Sequence, residues 1–286
     1  MSGPAPSLSL TVFAVVLASA LLHAGWNAFV RAAPDKLRGM AVMSMGGSAL
    51  CALALPFVAV PPAEVWPWLG IGFVGSLSTQ ALIAQAYARG ELSVAYPLQR
   101  GLAPIAVTTG SAALFAELPG PVGFAGIGAI CCGVAVLAFR GLGPSTARAP
   151  ILGVALLAAL LTALYTLANA KGARLSVSAF DYAIWASVPN GAAWAVVMAM
   201  AGRKPLRLLR EDWIHAAGSG TVTTLAFILL LWASRHAPVA MVSALRETSI
   251  LFGLLIAWLF LGERLGAARW TAAGFILCGV VLLRFS

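Results

Sequence analysis

Ten stretches of predominantly apolar residues follow one another along this chain, with only short polar breaks between them. They cover 8–30, 38–59, 66–88, 92–115, 121–140, 150–171, 178–201, 212–234, 238–261 and 268–285. About 20 apolar residues suffice for a helix to cross the hydrocarbon core. Backbone groups in lipid must bond within their own segment, which leaves helices or closed barrels. Runs of this length predict an all-α integral membrane protein with ten transmembrane helices. Composition excludes a soluble domain: 61% of residues are hydrophobic and 9% charged, against about 45–50% and 25% in soluble proteins. The breaks carry turn chemistry, as at Pro34-Asp35, Pro61-Pro62, Gly90-Glu91, Pro119-Gly120-Pro121, Gly141 to Pro150, Arg203 to Arg210, His236 to Pro238 and Gly262-Glu263-Arg264. They leave no extramembrane mass in which soluble chemistry would sit. The first run lacks a charged leading segment and is too long for a signal-peptide core, so it reads as a span.

Two arginines, Arg100 and Arg246, stand well inside apolar runs. An arginine at mid-membrane costs about 2.5–3.5 kcal/mol on insertion scales and marks a functional site by default. The two are 146 residues apart, and the same offset relates Glu117 to Glu263, Gly128 to Gly274, Cys132 to Cys278, Gly133 to Gly279 and Arg89 to Arg235. A single offset without gaps reads as an internal duplication, with repeats over 1–141 and 142–286. Each repeat holds five spans, and an odd number enters the membrane inverted relative to its copy. Inverted repeats are a transporter architecture whose substrate site lies near the midplane between the copies.

The candidate substrate-binding residues are therefore Arg100, Arg246, Glu247, His23, Trp26, Asn27, Tyr96, Gln99 and Tyr165. Two guanidiniums on one cavity would form a forked site for carboxylate, phosphonate or phosphate, with Arg100→Gln expected to abolish transport and spare folding. Glu247 is the one acid well inside a span, and its counterpart in the first copy is Gly101. Two readings of it stay open: a salt bridge to Arg246 or Arg100, or a carboxylate that exchanges protons. His23, Trp26 and Asn27 share one helix face by their i, i+3, i+4 spacing, and His23 is the natural titrating group near neutral pH. Pro97, between Tyr96 and Gln99, is expected to loosen the fourth span. Thr166, Asn169, Gln80, Gln85, Thr223 and Thr224 form a second tier. Glu117 and Glu263, at helix ends, read as structural.

No metal-type spacing exists among the cysteines Cys51, Cys131, Cys132 and Cys278, which all lie in apolar runs and read as packing residues. No catalytic, metal or cofactor site is expected. A metalloprotease would want His-Glu-x-x-His and an aspartyl protease two buried aspartates, and the chain has neither. It also lacks a phosphate-binding loop of the Gly-Lys-Ser/Thr type, so ATP is not the direct energy source. The net charge of +9 sits mostly in loops, where it sets orientation rather than binding nucleic acid. Loops after odd-numbered spans hold about twelve Lys or Arg, and the remaining loops with the tail about four. That bias places both termini outside the cytoplasm.

The ten spans in two copies, the acid ending each fourth span (Phe115-Ala116-Glu117 and Leu261-Gly262-Glu263) and the glycine-rich fifth spans (Gly126 to Gly133, Gly274 to Gly279) resemble the drug/metabolite transporter superfamily, in particular its EamA-type members. Leu261-Gly262-Glu263 is similar to that family's junction, and Ala116 departs from it. The resemblance covers essentially the whole chain. His23-Ala24-Gly25-Trp26-Asn27 and Ala95 to Gly101 are also similar to a branch some of whose members carry a phosphonate-use label. The resemblance implies a secondary active transporter, more often an exporter, with both termini in the cytoplasm, against the charge bias; a bacterial inner membrane is the expected location, and the proton-exchanging reading of Glu247 makes protons the expected coupling ion. Joined to the buried arginines, it points to small anionic or zwitterionic metabolites, such as amino acids or organic acids, handled by alternating access. The partners expected are that metabolite and the bilayer, with a monomer favoured over an obligate oligomer. The alternatives are a multidrug or cationic compound exporter, disfavoured by the buried positive charge and the absence of a first-helix acid, and a non-transporting membrane scaffold.

Overall fold

A computed structural model describes residues 8–33, 35–88, 92–140, 148–261 and 266–286. The described residues are helical, with no strand among them. In chain order the helices are α1 (Leu10–Ala32), α2 (Lys36–Ala54), α3 (Trp66–Ala88), α4 (Leu92–Phe115), α5 (Pro121–Arg140), α6 (Arg148–Leu175), α7 (Ala179–Met200), α8 (Pro205–Glu211), α9 (Trp213–His236), α10 (Val239–Arg246), α11 (Ser249–Leu261) and α12 (Ala267–Arg284). Among the described residues, eight helical spans are long and apolar enough to cross a membrane. The helices α3 and α4, of 23 and 24 residues, are of similar length.

Local chemistry sets the helix starts. Ser9, Asp35 and Ser178 each accept a bond from a backbone N–H of the following first turn, at 3.2, 3.0 and 3.0 Å, satisfying donors that a helix leaves open. Ser178 in turn donates to Asp181 Oδ2 at 2.8 Å. At the end of α4, Ala116 takes φ +55°. This left-handed region favours glycine, so alanine is strained there. The position 146 residues further on in the sequence is Gly262.

Small residues bring the helices together. A Cβ built on Gly126 would meet the carbonyl of Gly279, and one on Gly279 that of Gly126, so α5 and α12 cross backbone to backbone. Gly46 and Gly47 of α2 face Ala216 and Gly220 of α9, and Gly191 of α7 faces Ser48 of α2. Gly75 of α3 lies against Tyr165 of α6. The main packed pairs are α5 with α12, α3 and α4 with α6, α2 with α7 and α9, α1 with α9, and α4 with α5. One buried cluster joins Val16, Ile130, Val134, Leu245 and Ile276 across α1, α5, α10 and α12. Outward faces remain apolar, with Leu53, Leu160, Trp258 and Leu277 among the exposed side chains, as lipid contact requires.

Two elements differ from the sequence reading. The expected ninth span, 238–261, is interrupted: Glu247 and Thr248 form a turn between α10 and α11. Polar side chains stabilise the break locally, because Thr248 Oγ donates to the Leu245 carbonyl at 2.8 Å. The Arg203–Arg210 break contains a seven-residue helix, α8, rather than only a loop. By contrast α4 runs on through Pro97 and Pro104, although Pro97 was expected to loosen it. The boundary between the expected repeats, at 141, and the junction at Gly262-Glu263-Arg264 lie outside the described residues.

Candidate functional site

The helices enclose a central cavity of about 350 Å³, within the range of small-molecule sites. All nine candidate residues line it: His23, Trp26 and Asn27 from α1, Tyr96, Gln99 and Arg100 from α4, Tyr165 from α6, and Arg246 and Glu247 at the α10–α11 break. Of the second tier, Gln80, Thr166, Asn169, Thr223 and Thr224 also line the cavity. Gln85 is exposed and is not part of the wall.

The two arginines do different work. Arg100 is 8% exposed. Its Nε donates to Glu247 Oε2 at 2.7 Å, one terminal nitrogen to Ser249 Oγ at 2.8 Å, and the other to the Tyr96 hydroxyl at 3.4 Å. Every nitrogen of this guanidinium therefore has a protein partner. The salt bridge is almost fully desolvated, with side-chain exposures of 9% and 2%. Glu247 is thus bonded to Arg100, across the two halves of the chain, and not to its neighbour Arg246. Arg246 forms no side-chain ion pair among the described residues, and its Nε is buried with no hydrogen-bond partner. With Glu247 balancing Arg100, the cavity wall carries one uncompensated positive charge.

Three further buried polar atoms lack partners: Gln99 Oε1, Thr166 Oγ and Asn190 Oδ1. All three residues line the same cavity. Buried polar groups are normally hydrogen-bonded, so four orphans in one wall mark surface built to meet something. Several other polar groups of the wall are committed to protein partners. Gln99 Nε2 donates to Thr162 Oγ at 2.8 Å, Trp194 Nε1 donates to Gln80 Oε1 at 2.7 Å, and the Tyr182 hydroxyl donates to Asn169 Oδ1 at 2.9 Å. Asn27 Nδ2 donates back to the His23 carbonyl at 2.9 Å, and the His23 ring meets Trp26 edge-on at 4.8 Å.

A second polar knot lies near the C-terminal ends of α4, α6 and α9. Arg174 Nη1 pairs with Glu117 Oε1 at 2.7 Å, while Arg174 also donates to the carbonyls of Ser234 and Ala237 at 2.8 and 3.1 Å. Glu117 Oε2 accepts from the Val239 amide at 3.1 Å, and the Arg174 guanidinium lies 4.4 Å from the Phe115 ring centre. Ser234 belongs to the cavity wall, so this knot abuts the cavity at that end.

Residues 150–285, the segment from the start of α6 through α12, match the EamA-like transporter family. That match covers a little under half of the chain and makes its second half similar to the EamA-like transporter family. A stretch of 91 residues is 31% identical to a protein described as an uncharacterized transporter in the cobO 3' region of Sinorhizobium sp.. That stretch is 31% of this chain and spans 64% of the relative. A solved crystal structure superposes with a TM-score of 0.75 at 19% identity, covering 96% of both chains, which supports the fold. Family and apolar helices together make this an integral membrane protein.

Two wall residues, Asn190 and Thr162, and the Arg100 partner Ser249 escaped the sequence reading. Asn190 sits between Pro189 and Gly191 in the middle of α7, and a polar residue flanked by these two in an apolar run was a readable signal. Thr162 and Ser249 carried none: one hydroxyl in an apolar helix looks the same whether it bonds its own turn or a neighbour's side chain.

Proposed function

We propose that this protein is an EamA-type secondary active transporter, in the exporting sense the resemblance implies, for small anionic or zwitterionic metabolites such as amino acids or organic acids. Arg246 carries the reading: a cation in a small central cavity, its Nε buried and unpartnered, with the nearby acid already committed to Arg100. A carboxylate or phosphonate would supply charge-assisted bonds to Arg246. Gln99 Oε1 and Asn190 Oδ1 would accept from an N–H donor at the ligand's other end, and Trp26 and Tyr165 would wall its apolar part.

Alternating access would follow from ten transmembrane helices in two inverted five-helix repeats, 1–141 and 142–286. Exchanging the halves maps α1 on α6, α2 on α7, α3 on α9, α4 on α10–α11 and α5 on α12. The packing supports this, since α3 on α6 answers α9 on α1, while α2–α7 and α5–α12 each map onto themselves. A bacterial inner membrane is the proposed location, in keeping with the Sinorhizobium relative. Glu247 is the one acid in the described cavity wall and the proposed proton carrier. A proton taken up by Glu247 would loosen its bridge to Arg100, so protonation of this acid would be linked to rearrangement of the cavity. Export would then be driven by protons moving inward in exchange for the substrate.

The test is a thermal-shift screen of detergent-purified protein against amino acids, dicarboxylates, phosphonates and quaternary ammonium compounds, since any binder of the folded state raises its stability. Stabilisation by one anionic or zwitterionic class, lost in Arg246→Gln, is the expected result. Stabilisation by cations alone, undiminished in that variant, would overturn the proposal.

A further inference from the structure

The short helix α8 stands apart from the transport site. The chain leaves α7 at Met200 and turns through Gly202 at φ +72°, a left-handed conformation that suits glycine. It then forms one amphipathic stretch before α9 re-enters the apolar layer. The inner side of α8 is fixed: Leu208 is buried in a cluster with Val42, Met45, Trp194 and Met198. The outer side is neither buried nor purely polar. Leu206 is 83% exposed and Met200 84%, and Trp213 is exposed beside them. Leu206 and Arg210 are four residues apart and so lie on one face.

Charge on this helix is unevenly satisfied. Arg203 pairs with Asp35 at 2.7 Å, Arg207 with Glu211 at 2.7 Å, and Arg38 with Asp212 at 2.7 Å. The first and third of these tie the α8 segment to the start of α2, and the second lies within α8. Lys204 and Arg210 are both exposed, and neither has an ion-pair partner among the described residues. Arg38, Arg203 and Arg207 are spoken for; Lys204 and Arg210 are the two cations left over.

A helix that joins the ends of two membrane spans, α7 and α9, lies at the level of the bilayer surface. In water its exposed Leu206 and Met200 would be unfavourable. In the headgroup layer they reach acyl chains while basic side chains extend outward to phosphate. This end of the molecule is also the one where the sequence concentrates Lys and Arg, and basic clusters beside spans attract anionic leaflet lipid.

We propose that α8 is a binding site for anionic phospholipid, with Lys204 and Arg210 holding the headgroup phosphate and Leu206 set among the acyl chains. The site is independent of the cavity and of the transport reading. The test uses the full chain in non-ionic detergent, offered equal phosphatidylglycerol and phosphatidylcholine, with retained lipid counted by native mass spectrometry. The wild type is expected to retain phosphatidylglycerol several-fold over phosphatidylcholine. The double variant Lys204→Gln/Arg210→Gln is expected to lose that preference, and the charge-keeping Lys204→Arg/Arg210→Lys to restore it. Inorganic phosphate should not displace the lipid, because a free anion lacks the acyl contact with Leu206. A wild type without preference overturns the proposal whatever the variants do. So does a correctly folded glutamine variant that keeps the preference, or ready displacement by inorganic phosphate.

Discussion

Arg100 and Arg246 occupy related positions in the two halves of the chain, yet one is saturated and the other bare. Arg100 has three partners, of which Glu247 and Ser249 come from the opposite half. Arg246 contributes a buried Nε that nothing in the described protein meets. The difference traces to one asymmetric position, since Glu247 stands where the first copy has Gly101. Glycine there cannot answer Arg246, whereas the glutamate answers Arg100. The cavity therefore holds one cation bound into the protein and one whose Nε the described residues leave unmet.

This contrast can be broken from the Arg100 side first. Removing one partner of a desolvated salt bridge costs about 3–5 kcal/mol, so Arg100→Gln should sharply lower the thermal midpoint in detergent. Arg100→Gln/Glu247→Gln should recover much of the loss; equal stability of wild type and single variant would refute the structural role. The sequence reading had expected Arg100→Gln to spare folding, and the three bonds of Arg100 reverse that expectation. Arg246→Gln should instead leave the midpoint near wild type, because no partner is lost. It should weaken ligand binding by about 10-fold to 100-fold, the value of a bond to a charged group of about 1.5–3 kcal/mol. Isothermal titration with the best ligand of the thermal screen checks this, and a midpoint drop as large as that of Arg100→Gln would erase the distinction.

Ion pairs nearer the ends of the helices grade the effect downward. Glu117 and Arg174 are each about a quarter exposed, so Arg174→Gln should cost about 1 kcal/mol or less in pairing, measured by the same denaturation. Smallest is Asp35, whose carboxyl is held below its ordinary value by the Arg38 backbone N–H and then by Arg203. A lowered carboxylate pKa contributes stability above the unfolded value of about 3.9, lost as pH falls through the folded value. Asp35→Asn should therefore lower the midpoint slightly at neutral pH, and the gap should close on acidification below about pH 4. A gap that widens in acid would contradict the assignment.

Much of this was legible in the chain. Spans were readable because lipid imposes length and apolarity on every crossing segment, and the arginines because charge is rare there. The offset of 146 brought Arg100 and Arg246 forward together. Partner choice was not legible: whether Glu247 turns to Arg246 or Arg100 depends on helix rotation and on how two distant segments cross. The break after Arg246 was hidden for a related reason. Glu247, Thr248 and Ser249 are tolerable inside a helix, and only the bonds they find, from Thr248 to Leu245 and from Arg100 to Ser249, favour a turn. The α8 helix was masked by its charges, which read as a loop when Leu206, Leu208 and Leu209 are not weighed with them.

The Arg100–Glu247 bridge joins residues 147 positions apart. A ribosome extends a chain by about 5–20 residues per second, so Arg100 reaches the membrane on the order of ten seconds before its acid exists. During that interval the fourth helix must be held in place with an unneutralised guanidinium, by the insertion machinery, by lipid headgroups or by water drawn in beside it. The first half of this protein is therefore a poor candidate for independent expression. Its maturation is finished only when a residue near the far end of the chain arrives to close the circuit.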